Sequence, residues 1–128
     1  METGKVLIVE DDNFLSSILK GRLEKDGFTV SQAFDGDEGI EMIRQLKPDI
    51  VLLDLIMPKV SGFEVLESVE ADPELNTIPI VVASNLGQDS DIVKAKNLGA
   101  TDYYVKVQTS IDEIALMVKN VLAKTRKE

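Results

Sequence analysis

Side chains able to do chemistry stand at the ends of apolar runs. Glu10, Asp11 and Asp12 follow "KVLIV" (5–9), Asp54 closes "DIVLLD" (49–54), Ser84 closes "PIVVAS" (79–84), and Lys106 closes "TDYYVK" (101–106). Asp54 is the least expected of them. It interrupts "VLLDLIMP" (51–58), and a lone charge there is costly unless it is paired, bound to a cation or exposed at the strand tip. Carboxylates gathered in one pocket repel by about 4 kcal/mol per pair at about 4 Å and an effective dielectric near 20. A divalent cation reverses that sign, and Mg²⁺ suits a site made of carboxylates, a carbonyl and waters. With the cation present, Asp54 has the chemistry to attack a phosphoryl donor and form an acyl phosphate. Lys106 then offers positive charge and Ser84 a hydroxyl to the transferring group, whose charge spreads over its oxygens. Each residue also has a plainer reading: acids complementing a helix dipole, a serine cap, a solvated lysine. Their coincidence at one edge of a sheet is what favours chemistry.

Composition narrows the alternatives. The 128-residue chain has neither cysteine nor histidine, which excludes Ser-His-Asp and Cys-His catalysis, thiolate zinc sites and histidine metal sites. Any metal must be a hard cation on oxygen ligands. The net charge of −9 argues against a general nucleic-acid binder, since phosphate binding needs clustered Lys and Arg. "METGKVLIVEDD" reads as neither a secretory signal nor a membrane span, so a cytoplasmic location without membrane attachment is expected. The chain ends in a short polar tail, about 124–128 within "AKTRKE".

Five alternating units must position these groups. Strands are expected at 5–9, 28–33, 49–54, 79–84 and 101–106. Leu15, Ile18, Leu19 and Leu23 fall at helical spacing and stop at Asp26-Gly27. Asp35 caps a second helix carrying Ile40, Ile43 and Leu46, which ends before Pro48. Phe63 to Glu70 and Asp91 to Leu98 form two more helices. Ile111, Ile114, Ala115, Val118, Val121 and Leu122 share one face of the last. Continuous apolar strands between helices imply an α/β fold, a doubly wound five-stranded parallel sheet covered on both sides. Such a sheet works outside the carboxyl ends of its strands.

With "VEDD" after the first strand, "DLIMPKVSG" (54–62), a hydroxyl ending the fourth strand and a lysine ending the fifth, the chain resembles the receiver (CheY-like) domain of two-component response regulators over essentially its whole length, 1–128. The resemblance implies a flavodoxin-like (βα)5 fold with strand order 2-1-3-4-5. It implies an acidic pocket of Glu10 and Asp11 that holds Mg²⁺ together with Asp54 and the Ile56 backbone carbonyl, Asp11 being the direct ligand. It makes Asp54 the phosphoacceptor, Lys106 the phosphate contact, Ser84 the switch hydroxyl and Tyr103 the switch aromatic. The activity implied is that of a phosphorelay switch, not a conventional enzyme, which catalyses its own phosphorylation and dephosphorylation. The donor would be a histidine kinase or histidine phosphotransfer protein. The output would be a downstream protein or a phosphorylation-dependent homodimer, engaged through the face made by the fourth helix, fifth strand and fifth helix.

Three positions depart from the family pattern. Val107 stands where proline is usual, Asn85 where a small residue is usual, and Ser61 where an acid is common. The family commonly has a cis peptide before that proline. Before Val107 a cis bond costs roughly 3–4 kcal/mol more than trans, so a trans peptide is expected. Asn85 is expected beside the phosphate, obstructing donor or water. These departures sustain a rival reading, a degenerate receiver acting as a phosphorylation-independent interaction module. A haloacid-dehalogenase-type phosphohydrolase would want an acid where Ile56 stands, and a flavodoxin-like FMN carrier would find its phosphate repelled by Glu10, Asp11 and Asp12.

Overall fold

Leu, Ile and Val crowd the expected strands, and turn-forming residues bound them. The computed structural model describes residues 4–126, so the first three residues and the last two of the expected polar tail lie outside the described residues. The elements alternate as β1 (Lys5–Val9), α1 (Asn13–Lys25), β2 (Thr29–Ala33), α2 (Gly36–Leu46), β3 (Ile50–Asp54), α3 (Gly62–Glu70), β4 (Ile80–Ser84), α4 (Asp89–Asn97), β5 (Asp102–Val105) and α5 (Ile111–Arg126). The strands form one sheet in the order β2-β1-β3-β4-β5, and every neighbouring pair is parallel. This is the doubly wound, flavodoxin-like arrangement expected.

Both faces of the sheet are buried, as its unbroken apolar strands require. On one face Val6, Ile8, Ile50, Leu52 and Val81 pack beneath Leu19 and Leu23 of α1 and Val118 and Leu122 of α5. On the other, Leu7, Val9, Val51, Leu53 and Val82 meet Ile43 of α2, Val65 and Leu66 of α3 and Ala95 of α4. Ala95 is the sole buried residue of α4, and no side chain caps its first turn. Side chains do cap α1, α2 and α3, from Asp12, Asp35 and Ser61 respectively. Ser61, where the family often has an acid, thus satisfies the Glu64 N–H.

The structure corrects several boundaries. Helix α4 begins at Asp89, two residues before the expected start, because Asp89 and Asp91 both suit the positive end of a helix. Strand β5 stops at Val105, and Lys106 opens a short 3₁₀ turn through Gln108. Residues 124–126 of the expected tail continue α5. Ile18 and Leu46 lie exposed at the margins of their apolar stripes.

A tight turn holds the end of β3. The Gly62 N–H donates to the Leu55 carbonyl at 2.9 Å. A Cβ at Gly62 would stand 2.3 Å from the Asp54 carbonyl oxygen and 2.6 Å from Leu55 Cα. Backbone is on both sides, so only a shift of the loop relieves the clash. Gly62→Ala should lower stability by about 2 kcal/mol or more in urea denaturation, at the upper part of the overpacking range. An unchanged midpoint would mean that the loop is free to move.

Candidate functional site

Parallel pairing sets the strand ends side by side. In the register, Val9 of β1 faces Leu53 of β3, Asp54 faces Ala83 of β4, and Ser84 faces Val105 of β5. Glu10, Asp54, Ser84 and Lys106 therefore emerge at one edge. Among the described residues, Glu10, Asp11 and Asp54 form a group in which one carboxylate oxygen from each lies within 4.8 Å of the others. Glu10 and Asp54 are buried and Asp11 is exposed.

Lys106 reaches into this cluster. Its Nζ donates to Glu10 Oε1 and lies 3.1 Å from Asp54 Oδ2. All peptides between described residues are trans, the Lys106–Val107 bond included, so the lysine reaches both carboxylates from a trans backbone. Asp54 Oδ1 also receives the Ile56 N–H at 3.4 Å. Burial pushes the Glu10 carboxyl up to about 7, against the Lys106 hydrogen bond and with the help of the Asp54 charge. Burial pulls the Lys106 ammonium down, but Glu10 and Asp54 outweigh it and leave the group raised.

The three consecutive acids divide by geometry. Asp12 turns outward and caps α1, accepting the N–H groups of Phe14 and Leu15 at 3.0 and 3.1 Å. Its own N–H donates to Glu10 Oε2 at 3.1 Å. One lysine against three carboxylates leaves the pocket net negative. An all-oxygen donor set with an open, exposed member at its mouth fits a hard divalent cation such as Mg²⁺.

Ser84 and Tyr103 meet on Leu86, a residue that neither periodicity nor a polar side chain singles out. The fully buried Ser84 hydroxyl accepts the Leu86 N–H at 3.2 Å. Tyr103 packs on the α4 side of the sheet, and its hydroxyl donates to the Leu86 carbonyl. Both polar groups of one β4–α4 loop residue are thus held by the serine and the tyrosine. Burial raises the Tyr103 hydroxyl above its ordinary value. Asn85 departs from expectation. It is exposed, and its Oδ1 accepts the Val107 N–H at 3.2 Å, so its side chain is tied to the β5–α5 loop. No signal in the chain's periodicity marks Leu86 or the Asn85–Val107 contact, since both depend on how two loops meet.

An open parallel α/β sheet with an acidic cluster, a hydroxyl and a lysine at its carboxyl edge defines the class of site. The comparisons agree, for residues 6–119 match the model of the response regulator receiver domain. The chain belongs to that family. It is 36% identical over 121 residues to the DNA-binding dual master transcriptional regulator RpaA of Synechocystis, covering 94% of this chain and 50% of that protein. It is 36% identical over 113 residues to protein PilH of Pseudomonas aeruginosa, covering 88% of this chain and 91% of that one. The chain thus spans about half the length of RpaA and most of PilH. The Francisella response regulator 1452 receiver domain superposes with a TM-score of 0.85 at 30% identity, covering 98% of this chain and 99% of that one. A putative response regulator from Chloroflexus aurantiacus gives 0.87 at 30% identity, covering 95% and 99%.

The raised Glu10 carboxyl has a signed consequence. Its folded value, about 7, lies above its ordinary value of 4.5, so the folded state holds the proton more tightly. The stability this contributes is complete below about pH 4.5 and is lost as pH rises through about 7. In metal-free urea titrations, Glu10→Gln should remove that part of the decline. Parallel pH profiles for wild type and variant would show that Glu10 titrates at its ordinary value.

Proposed function

We propose that the chain is one receiver domain serving as a phosphoacceptor switch. It would take a phosphoryl group onto Asp54 from a histidine kinase or histidine phosphotransfer protein and change how it binds a protein partner. The observation that carries this reading is the Lys106 ammonium set between Glu10 and Asp54, beside an exposed Asp11. The departures at Asn85 and Val107 leave that contact in place, which favours the active switch over a degenerate scaffold.

In this reading the donor's N–P bond breaks, its imidazole keeps the electron pair, and an Asp54 oxygen forms the new O–P bond. Glu10, Asp11, Asp54 and the Ile56 carbonyl would hold Mg²⁺, which would supply positive charge to offset the carboxylate and phosphoryl oxygens. Lys106 lies 3.1 Å from Asp54 Oδ2 and, once Asp54 is esterified, turns to a phosphoryl oxygen. Ser84 moves its hydroxyl from Leu86 to the phosphoryl group. Leu86 then loses one of its two holds, and Tyr103, gripping the other, shifts with the loop. Helix α4 is poised to respond, with Ala95 as its one buried residue. The output surface is the α4-β5-α5 face, offered to a downstream protein or to a second phosphorylated copy. The net charge of −9 favours a protein partner over nucleic acid. Among the described residues no helix is long and apolar enough to cross a membrane, in keeping with a cytoplasmic switch.

Intact mass after incubation with Mg²⁺ and acetyl phosphate tests the chemistry. One phosphoryl group should be gained, and the gain should vanish in Asp54→Asn. Asp11→Ala should lose Mg²⁺ binding. Retained Mg²⁺ affinity in that variant would refute the pocket, and no gain of mass in the wild type would leave the scaffold reading standing.

The switch has its own test. A crystal structure with Mg²⁺ and beryllofluoride should show the Ser84 hydroxyl turned toward Asp54 and Tyr103 in a changed conformer, with tighter partner or self-association through the α4-β5-α5 face. Superimposable Tyr103 and α4 in both states, with partner affinity nonetheless changed, would sink this route.

A further inference from the structure

We infer that Asn85 is a positioning residue for Lys106, acting through the Val107 amide. The inference rests on the phosphoacceptor reading and adds a device to it. Lys106 lies beyond the last rung of β5, so its reach to Asp54 depends on the course of the backbone from Val105 to Val107. Packing does little there, because Val107 is 78% exposed. Hydrogen bonds hold the turn instead. The Thr109 hydroxyl donates to the Val105 carbonyl at 2.9 Å, and the Thr109 N–H to the Lys106 carbonyl at 3.3 Å. Both bonds are internal to the turn. The Asn85 carboxamide oxygen, accepting the Val107 N–H at 3.2 Å, ties the turn to the neighbouring strand.

Position gives that bond its leverage. Asn85 directly follows Ser84, whose pairing with Val105 is the last rung between β4 and β5. The contact carries strand pairing one step past its end, with a side chain acting as acceptor. Val107 sits at the start of a 3₁₀ turn, where an N–H has no partner within the turn. Asn85 supplies one from outside.

The chemistry links two departures that looked independent in the sequence. A proline at 107 has no N–H to donate, and a glycine or alanine at 85 has no oxygen to accept. Asn85 and Val107 are two halves of one bond. It aims the trans backbone so that the lysine reaches Glu10 and Asp54. The obstruction expected of Asn85 is replaced by support, and the expected sign of its removal reverses.

The test compares Asn85→Ala, Val107→Pro and the double variant with the wild-type chain. The rate of phosphorylation by acetyl phosphate with Mg²⁺ and Mg²⁺ affinity in the absence of donor are followed throughout, and hydrogen exchange at the Val107 amide in the chains that keep Val107. N85A should exchange the Val107 amide faster and take up phosphoryl roughly three- to tenfold more slowly, the range of one net hydrogen bond. Its Mg²⁺ affinity should match wild type, since a general loss of structure would lower both. Asn85→Asp, which keeps an acceptor oxygen, should retain slow exchange. In the V107P background, adding N85A should change the rate no further. Phosphorylation of N85A at or above the wild-type rate, or an equal slowing by N85A in the V107P background, overturns the proposal while leaving the phosphoacceptor reading intact. A wild-type chain that takes no phosphoryl group overturns that reading and this proposal together.

Discussion

Two carboxylates, Glu10 and Asp54, lie buried side by side at one edge of a parallel sheet, and the site depends on making that arrangement tolerable. They are 3% and 5% exposed, so water does little to screen them. The Lys106 ammonium is the chain's own remedy, in contact with both. A lysine suits this task because its charge sits at the tip of a long, flexible stem and can follow whichever oxygen needs it. The remedy is partial. Burial still holds the Glu10 carboxyl near 7, and exposed Asp11 adds negative charge at the mouth. A site left short of positive charge is one that a hard cation completes.

That electrostatic demand explains how the loops at this edge are built. Glu10, Asp11 and Asp12 are adjacent, yet one is buried in the pocket, one opens to solvent and one caps α1. The alternation of a strand end followed by a helix start separates them. The cap also contributes to the pocket, because the Asp12 N–H steadies Glu10. On the other side, Gly62 lets the β3–α3 loop close against the Asp54 carbonyl. Asp54 therefore leaves its strand with little freedom, which suits the phosphoacceptor role proposed for it.

Away from the pocket the same edge becomes permissive. Ser84 and Tyr103 hold opposite groups of Leu86, and the helix beyond has one buried residue. A rigid core of β1, β3 and β4 is thus joined to a lightly held α4 through a single loop residue gripped at both ends. The switching proposed for this chain relies on this contrast, since an element anchored as deeply as α5 would cost too much to move.

The chain's own pattern of residues determined the fold and the roster of the pocket. Five apolar runs separated by helical periodicities leave few arrangements other than a doubly wound sheet, and that sheet brings its strand ends together. Glu10, Asp11, Asp54, Ser84 and Lys106 were legible for that reason, because a polar group ending a buried run is conspicuous in one dimension. The contacts between loops were not legible. Whether Lys106 ends a strand or opens a turn, whether Asn85 faces the phosphate site or the Val107 amide, and that Leu86 joins Ser84 to Tyr103 all depend on two segments about twenty residues apart. Periodicity reports burial along one element, and it is silent on where the polar groups of two loops meet. Only the tertiary structure decided those contacts, because the backbone groups beyond the last rung of a sheet take whatever partners the neighbouring loop presents.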